Sequence, residues 1–134
     1  MSFIIKSNKN FEAVIRACSQ IKRKHENSTW ISEEFIQAYI NLHNLDIAFS
    51  IECYLNDELV GGLYGLLIGN IFCGESMFAK VTDASKVAFY HLCQQAEENG
   101  IKLIDCQVYN DHLASLGAYE ISREKYFEIL NENI

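Results

Sequence analysis

The chain has 134 residues, which is enough for one domain with a hydrophobic core of its own. Hydrophobic residues make up 49% and charged residues 22%, the composition of an ordinary globular protein, and no apolar run approaches the roughly 18 residues of a membrane span. The net charge of −7 argues against a broad surface for nucleic acid.

The five cysteines are odd in number and form no Cys-x-x-Cys pair, and the four histidines have no ligand spacing with one another or with a cysteine. The sequence therefore predicts no zinc or other metal site, and buried thiols rather than disulfides. Reduced thiols and an N-terminus without a signal-peptide pattern predict a cytoplasmic protein. The cysteines are Cys18, Cys53, Cys73, Cys93 and Cys106.

Hydrophobic periodicity and turn residues predict strands and helices in mixed order, without a repeat or a linker. Caps are expected at Asn8 or Asn10, Ser32, Asp83 and Ser122, because short polar side chains accept hydrogen bonds from the first turn of a helix. In chain order the prediction is strand Phe3–Lys6, helix Phe11–Lys24, helix Glu33–Asn44, strands Ala48–Leu55, Leu59–Ile68 and Ile71–Ser76, helix Ala84–Asn99, a strand from Leu103, a short helix from Asn110 or Asp111 to Leu116, strand Ala118–Ile121 and helix Arg123–Leu130.

The helix from Ala84 is predicted to turn its apolar face inward. That face carries Val87, Tyr90, His91 and the region of Cys93 and Ala96, with Phe89 and Leu92 alongside.

Two polar residues interrupt the apolar strand that begins at Leu103. Period-2 alternation places Asp105 and Gln107 on one face of that strand. A carboxylate and a carboxamide in an apolar strand cost free energy unless they are paired or employed. They form either a buried polar pair that ties the strand to a neighbour or part of a site. Gly74-Glu75-Ser76, which ends another apolar strand, favours a site.

Three further features have a structural and a functional interpretation. Three glycines in five residues, Gly61, Gly62 and Gly65, favour room for a ligand over mere irregularity. The basic run 22–24 suits the C-terminal end of a helix better than a phosphate contact. Trp30, the only tryptophan, either packs or serves as a stacking platform for a base.

The order of the elements resembles the α/β (α+β) fold of the GCN5-related N-acetyltransferases, a mixed and mostly antiparallel sheet flanked by helices. Members of that group hold the coenzyme A pyrophosphate with a glycine-containing turn before the third helix. Here that turn reads Phe78-Ala79-Lys80-Val81-Thr82-Asp83 and has no glycine. We therefore expect no coenzyme A and no other cofactor.

Several segments together resemble the leucyl/phenylalanyl-tRNA–protein transferases, in family order and spacing over most of the chain. The resemblance implies an aminoacyltransferase that moves Leu, Phe or Met from aminoacyl-tRNA to the N-terminal Arg or Lys of an acceptor protein, marking it for degradation. The matching segments are Thr29-Trp30-Ile31, the run from Glu58 to Gly65, the run from Phe72 to Phe78, Asp83-Ala84-Ser85-Lys86 and the run from Leu103 to Gly117.

The same resemblance assigns roles to individual residues. Asp105 and Gln107 form the catalytic pair, and Glu75 and Asn110 help to hold the reacting groups. Trp30 stacks on the terminal adenine of the tRNA. Because a neutral carboxamide is a very poor base, we assign Asp105 the larger share of proton transfer. The pocket for the transferred side chain consists of Leu63, Phe72, Met77, Phe89 and Leu92.

The resemblance covers only the second of the family's two domains. An N-terminal domain of the family contributes to the tRNA site, and this chain starts where the second domain begins. We therefore expect a separate tRNA-binding partner to supply that contribution. Two alternatives stay open: an acyltransferase with a different donor on the same fold, and a non-catalytic module that binds basic protein N-termini. The turn without glycine weighs against the first alternative. The presence of Asp105, Gln107 and Glu75 together weighs against the second, because binding alone would not need the amide.

Overall fold

The computed structural model describes residues 2–26, 32–106, 114–115 and 117–133. Nine helices and strands with defined bounds make up that part of the chain, and most follow the predicted order. They are β1 (Ile4–Ser7), α1 (Phe11–Glu26), α2 (Glu33–Asn44), β2 (Ala48–Leu55), β3 (Glu58–Ile68), β4 (Ile71–Ala79), α3 (Ala84–Glu98), β5 (Leu103–Asp105) and α4 (Arg123–Asn133).

The five strands form one sheet in the order β1-β2-β3-β4-β5. The first three pairings are antiparallel, and β4 and β5 are parallel. Short turns join β2 to β3 and β3 to β4, whereas α1 and α2 lie between β1 and β2, and the parallel pair needs the α3 crossover. The predicted mixed, mostly antiparallel sheet is confirmed.

Helices cover both faces of the sheet. On one face α1 and α2 bury a cluster that contains Phe11, Val14, Ile15 and Cys18 of α1, together with Tyr64 and Phe78 of the sheet. On the other face α3 packs Ala88, Phe89 and Leu92 against Ile51, Leu63 and Phe72. Two apolar layers on one sheet give the domain its core.

None of the described helices is long and apolar enough to cross a membrane.

Three of the predicted helix caps are present. The side-chain oxygens of Asn10, Ser32 and Ser122 accept backbone N–H bonds from Ala13, Phe35 and Lys125 at 3.2, 3.2 and 3.1 Å. The predicted Asp83 cap is wrong. Asp83 lies in the left-handed region, with φ 71°, and its side chain makes no capping bond. A side-chain cap requires an extended backbone at that position.

Two other predictions near α3 and α4 are also wrong. Residues 118–121 form no strand. The inward face of α3 carries Ala88, Phe89, Leu92 and Ala96, whereas Tyr90 is 65% exposed. Apolar or aromatic residues occupy nearly every position from Val87 to Cys93, so the periodicity of this helix is too weak to separate its faces.

The glycines of β3 make room for atoms of this chain, so the interpretation as ligand space is wrong. A β-carbon at Gly61 would lie 2.6 Å from the β-carbon of Ala84, which begins α3. A β-carbon at Gly62 would lie 2.6 Å from the carbonyl oxygen of Ile51. These glycines allow the start of α3 and the neighbouring strand to approach the β3 backbone closely.

A buried carboxylate joins β2 to the start of α1. Glu52 has no exposed surface, and it accepts hydrogen bonds from the Lys9 backbone N–H at 3.0 Å and the Ser50 hydroxyl at 2.5 Å. A buried carboxylate requires such partners to offset its lost hydration. Glu52 therefore fixes the entry to α1 from within the core.

Candidate active site

The predicted catalytic and binding residues fall partly inside and partly outside the described chain. Asp105 and Glu75 are described, on β5 and β4. Trp30, Gln107 and Asn110 lie outside the described residues, as does most of the short helix predicted from Asn110 to Leu116. Their roles stay predictions.

A β-bulge on β4 sets the position of Glu75. Ser76 pairs with Tyr64 and Gly74 with Gly65, so Glu75 is the extra residue between two rungs of the antiparallel ladder. An inserted residue reverses the alternation of side chains along the rest of the strand. As a consequence Phe72 and Met77, which are five residues apart, both pack on the α3 face.

Asp105 points away from the α3 face. Its neighbours Ile104 and Cys106 pack on the α3 cluster, so alternation turns Asp105 to the opposite side. Asp105 pairs in register with Cys73 of β4. Leu66, the β3 partner of Cys73, packs on the cluster under α1 and α2. Asp105 therefore shares its side of the sheet with Cys73.

Asp105 accepts a hydrogen bond from a tyrosine of the C-terminal helix. The Tyr126 hydroxyl oxygen lies 2.8 Å from Oδ2 of Asp105. This hydrogen bond, followed by burial, raises the pKa of Tyr126 to about 12. The hydroxyl is therefore a stable donor at physiological pH.

Glu75 is surrounded by tyrosines in the same way. Burial, followed by the charge of Glu75 and a hydrogen bond to it, raises the pKa of Tyr39 to about 12. Burial is also the main cause that raises the pKa of Tyr64, with smaller contributions from Cys18, Glu75 and Tyr39. The rings of Tyr39 and Tyr64 meet edge to face at 5.7 Å. Each described carboxylate of the site thus has a tyrosine from a helix as hydrogen-bond donor.

The pKa of the Cys73 thiol is affected by both carboxylates. Burial raises the pKa of Cys73, and the charges of Asp105 and Glu75 raise it further. A thiolate beside two carboxylates is unfavourable, so Cys73 stays a neutral thiol. Asp105 and Glu75 therefore both act electrostatically on Cys73.

The five predicted pocket residues form one cluster on the α3 face. Leu63, Phe72, Phe89 and Leu92 are at most 8% exposed, and Met77 packs against them half-buried. The structure therefore brings the predicted residues together, and it shows them as packed core. Their role toward a substrate side chain stays a prediction.

The pairing of β4 with β5 is short. Among the described residues it comprises three pairs and ends at Cys73 and Asp105, whereas β4 continues to Ala79. Glu75 and Met77 lie beyond the last of these described pairs. This part of β4 therefore carries both Glu75 and Met77, a residue of the apolar cluster under α3.

A cavity of about 1230 Å³ lies between α3, β5 and α4. Asp105 and Tyr126 line it, and so do Phe89, Ile104 and Cys106 of the apolar cluster. Glu75 does not line it. We assign the site to the carboxylates and their tyrosines, because the cavity touches only one of the two acids.

The two tyrosine partners were not identified from the sequence. Tyr39 has the helical spacing of a core residue, and Tyr126 lies 21 residues after Asp105. Neither contact has a local signal. A polar hydroxyl at a partly buried helix position is the only feature that points to such a role, and it is weak.

The fold has counterparts among solved structures. An aminoglycoside acetyltransferase from an uncultured soil metagenomic sample matches over 90% of this chain and 91% of its own, with a TM-score of 0.68 and 14% identity. A ribosomal-protein-alanine N-acetyltransferase from Brucella melitensis matches over 90% and 94%, with a TM-score of 0.63 and 13% identity. The chain therefore has the GCN5-related N-acetyltransferase fold, as predicted.

Sequence relatives define the family within that fold. The family model for leucyl/phenylalanyl-tRNA protein transferase matches residues 1–131. The chain belongs to that family. A leucyl/phenylalanyl-tRNA–protein transferase from Flavobacterium johnsoniae is 54% identical over 128 residues, which are 96% of this chain and 60% of the relative. One from Teredinibacter turnerae is 46% identical over 132 residues, covering 98% and 51%. The chain thus spans little more than half the length of these relatives.

Proposed function

We propose that the chain carries the catalytic centre of an aminoacyltransferase. It moves Leu, Phe or Met from aminoacyl-tRNA to the N-terminal Arg or Lys of an acceptor protein, marking that protein for degradation. Family membership supports the donor and the acceptor. The observation that carries the proposal is the pair Asp105 and Glu75, each beside a helix tyrosine, at the described end of the pairing between β4 and β5.

The reaction needs a positioned amine more than it needs activation, because an aminoacyl ester is already reactive. Asp105 takes one proton from the acceptor's α-ammonium group, and the amine nitrogen then attacks the ester carbonyl. The amide bond forms and the ester C–O bond breaks. The second proton leaves the attacking nitrogen for the departing 3′ oxygen of the terminal adenosine, and Asp105 returns its proton to solvent.

The charges at the site suit this acceptor. A protein with N-terminal Arg or Lys brings two positive charges, one on its α-ammonium and one on its side chain. Asp105 and Glu75 supply two carboxylates in one region of the sheet. The opposite charges attract a basic acceptor N-terminus. An acceptor with an acidic N-terminal residue would be disfavoured, because its side chain would face two like charges.

The apolar cluster suits the transferred residue. Leu63, Phe72, Met77, Phe89 and Leu92 lie on the α3 face, and Met77 shares with Glu75 the edge of β4 beyond its last described pair with β5. A donor bound at this edge would place its side chain among them and its ester carbonyl toward Asp105. Because these five side chains are apolar, the pocket selects donors with apolar side chains. The packed cluster must rearrange to make room for such a side chain.

The remaining roles rest on the family resemblance alone. Gln107 assists Asp105, Asn110 helps to hold the reacting groups, and Trp30 stacks on the terminal adenine. The chain carries 11 basic residues against 18 acidic ones. Binding of the tRNA body depends on phosphate contacts from Lys and Arg. It therefore comes from a separate tRNA-binding contribution.

A transfer assay tests the proposal. The chain is incubated with tRNA charged with Leu, Phe, Met or Ala and with a peptide that begins with Arg, and mass spectrometry reads the product. We expect Leu, Phe and Met to be added, Ala to be added poorly, and a matched peptide that begins with Glu to stay unmodified. Binding of the Arg peptide without product from any donor would support a non-catalytic module instead.

A further inference from the structure

Tyr126 contacts the candidate catalytic carboxylate directly. Its hydroxyl donates to Oδ2 of Asp105 at 2.8 Å, and the residue lines the same cavity as Asp105. An ionised carboxylate only accepts hydrogen bonds, so the tyrosine hydroxyl must be the donor. Such a charge-assisted bond restricts rotation of the carboxyl group and fixes the direction of its lone pairs.

The helix that carries Tyr126 is itself held at defined points. Ser122 caps its start, where the hydroxyl accepts the Lys125 N–H at 3.1 Å. Near its end, the carbonyl oxygen of Asn133 accepts the N–H of Asn70, in the turn between β3 and β4, at 2.9 Å. No residue of α4 is fully buried. Hydrogen bonds at Tyr126 and Asn133 thus connect this partly exposed helix to β5 and to the turn between β3 and β4.

We propose that Tyr126 is a positioning residue for Asp105, which holds the carboxylate in the direction needed to receive the acceptor's α-ammonium proton. This role rests on the proposed function. A misdirected carboxylate slows proton transfer without weakening the donor site, because general-base catalysis depends on hydrogen-bond geometry. Loss of the Tyr126 hydroxyl should thus lower kcat and leave the KM for the donor unchanged.

The test compares Tyr126→Phe with a matched loss of a hydroxyl elsewhere. Tyr90 of α3 is 65% exposed, and its hydroxyl accepts a hydrogen bond from the Gln94 side chain at 3.3 Å. We expect Tyr126→Phe to lower kcat about tenfold, the effect of one lost bond to a charged group. Tyr90→Phe should transfer at the wild-type rate. An unchanged kcat in Tyr126→Phe overturns the proposal.

A double-mutant cycle separates positioning from a purely structural role. Under single-turnover conditions, Tyr126→Phe is combined with Asp105→Ala. We expect no further loss in the double variant, because the hydroxyl then has no carboxylate to position. An equal loss with and without Asp105 would mean that Tyr126 only supports the fold, and the proposal would be wrong.

A second readout does not depend on transfer. The ionisation of Tyr126 is followed by the ¹³Cζ resonance of labelled tyrosine, assigned with Tyr126→Phe. Since the hydrogen bond to Asp105 is the main cause that raises the pKa of Tyr126 to about 12, the midpoint should fall in Asp105→Ala. The same midpoint in both chains overturns the contact. If the midpoint falls in Asp105→Ala as expected but the wild-type chain transfers no amino acid from any donor, the contact stands and the proposed function is refuted.

Discussion

A single added methyl group on the strand beside Glu75 should destabilise the protein strongly. A β-carbon at Gly65 would lie 2.4 Å from the carbonyl oxygen of Cys73 and 2.7 Å from the ring of Phe72. The ring can turn, but the carbonyl belongs to the sheet and cannot. Overpacking of this kind costs about 1–3 kcal/mol, and the backbone contact places Gly65→Ala near the upper end.

The register partner of Gly65 provides the control. Gly74 lies opposite Gly65 on the same rung, and among the described residues a β-carbon there would meet the Asp105 carbonyl oxygen at 3.4 Å. That is an ordinary contact, so Gly74→Ala should leave the free energy of unfolding within about 1 kcal/mol of the wild-type value.

Urea unfolding followed by circular dichroism measures both free energies of unfolding, provided that the m-values agree. The two variants should differ by at least about 1.5 kcal/mol, with Gly65→Ala the less stable. Equal stabilities, or a stable Gly65→Ala, would refute the close approach of β3 and β4 beside the bulge.

Three further predictions concern the substrates. Phe72→Leu should change the preference between Phe and Leu donors by about 1–3 kcal/mol, the cost of a misfit of methylene size. Phe78→Leu, on the opposite face of the sheet, is the control and should leave that preference unchanged. Equal changes in kcat/KM for the two donors would mean that Phe72 is a core residue without a role in donor selection. Stacking of the terminal adenosine on Trp30 should quench the fluorescence of the only tryptophan; unchanged emission at a saturating aminoacyl-adenosine analogue would reject that role. With 11 basic residues against 18 acidic ones, this chain should use a minimal aminoacyl-adenosine donor about as well as whole aminoacyl-tRNA. The affinity for tRNA should fall with salt concentration only as steeply as about one or two phosphate contacts require. A steep salt dependence and a strong preference for whole tRNA would instead reveal a basic tRNA-binding surface.

Most of the fold could be predicted because its signals are local. Ser32 and Ser122 lie immediately before apolar periodicity, and both cap helices as expected. Asp83 has the same local signal but adopts a left-handed backbone, because α3 starts where Ala84 packs against Gly61 of the sheet. A tertiary contact therefore overrode the capping signal.

The site could be predicted only in part, because its geometry depends on pairing between strands. Strict alternation would place Phe72 and Met77 on opposite faces, and they share a face only because of the bulge at Glu75. The resemblance to a family, rather than periodicity, grouped them correctly. The contact between Tyr126 and Asp105 links residues far apart in sequence, so no local pattern could indicate it.

Asp105→Asn tests the central claim most directly. The substitution keeps the shape of the side chain and an oxygen that can accept from Tyr126, but it removes the negative charge and the base. Transfer of Leu from charged tRNA to the Arg peptide is measured at saturating donor, with circular dichroism as the control for folding. We predict a loss of at least about a hundredfold, the lower range for a lost acid–base group. A folded Asp105→Asn chain that transfers Leu at the wild-type rate would contradict a catalytic role for Asp105.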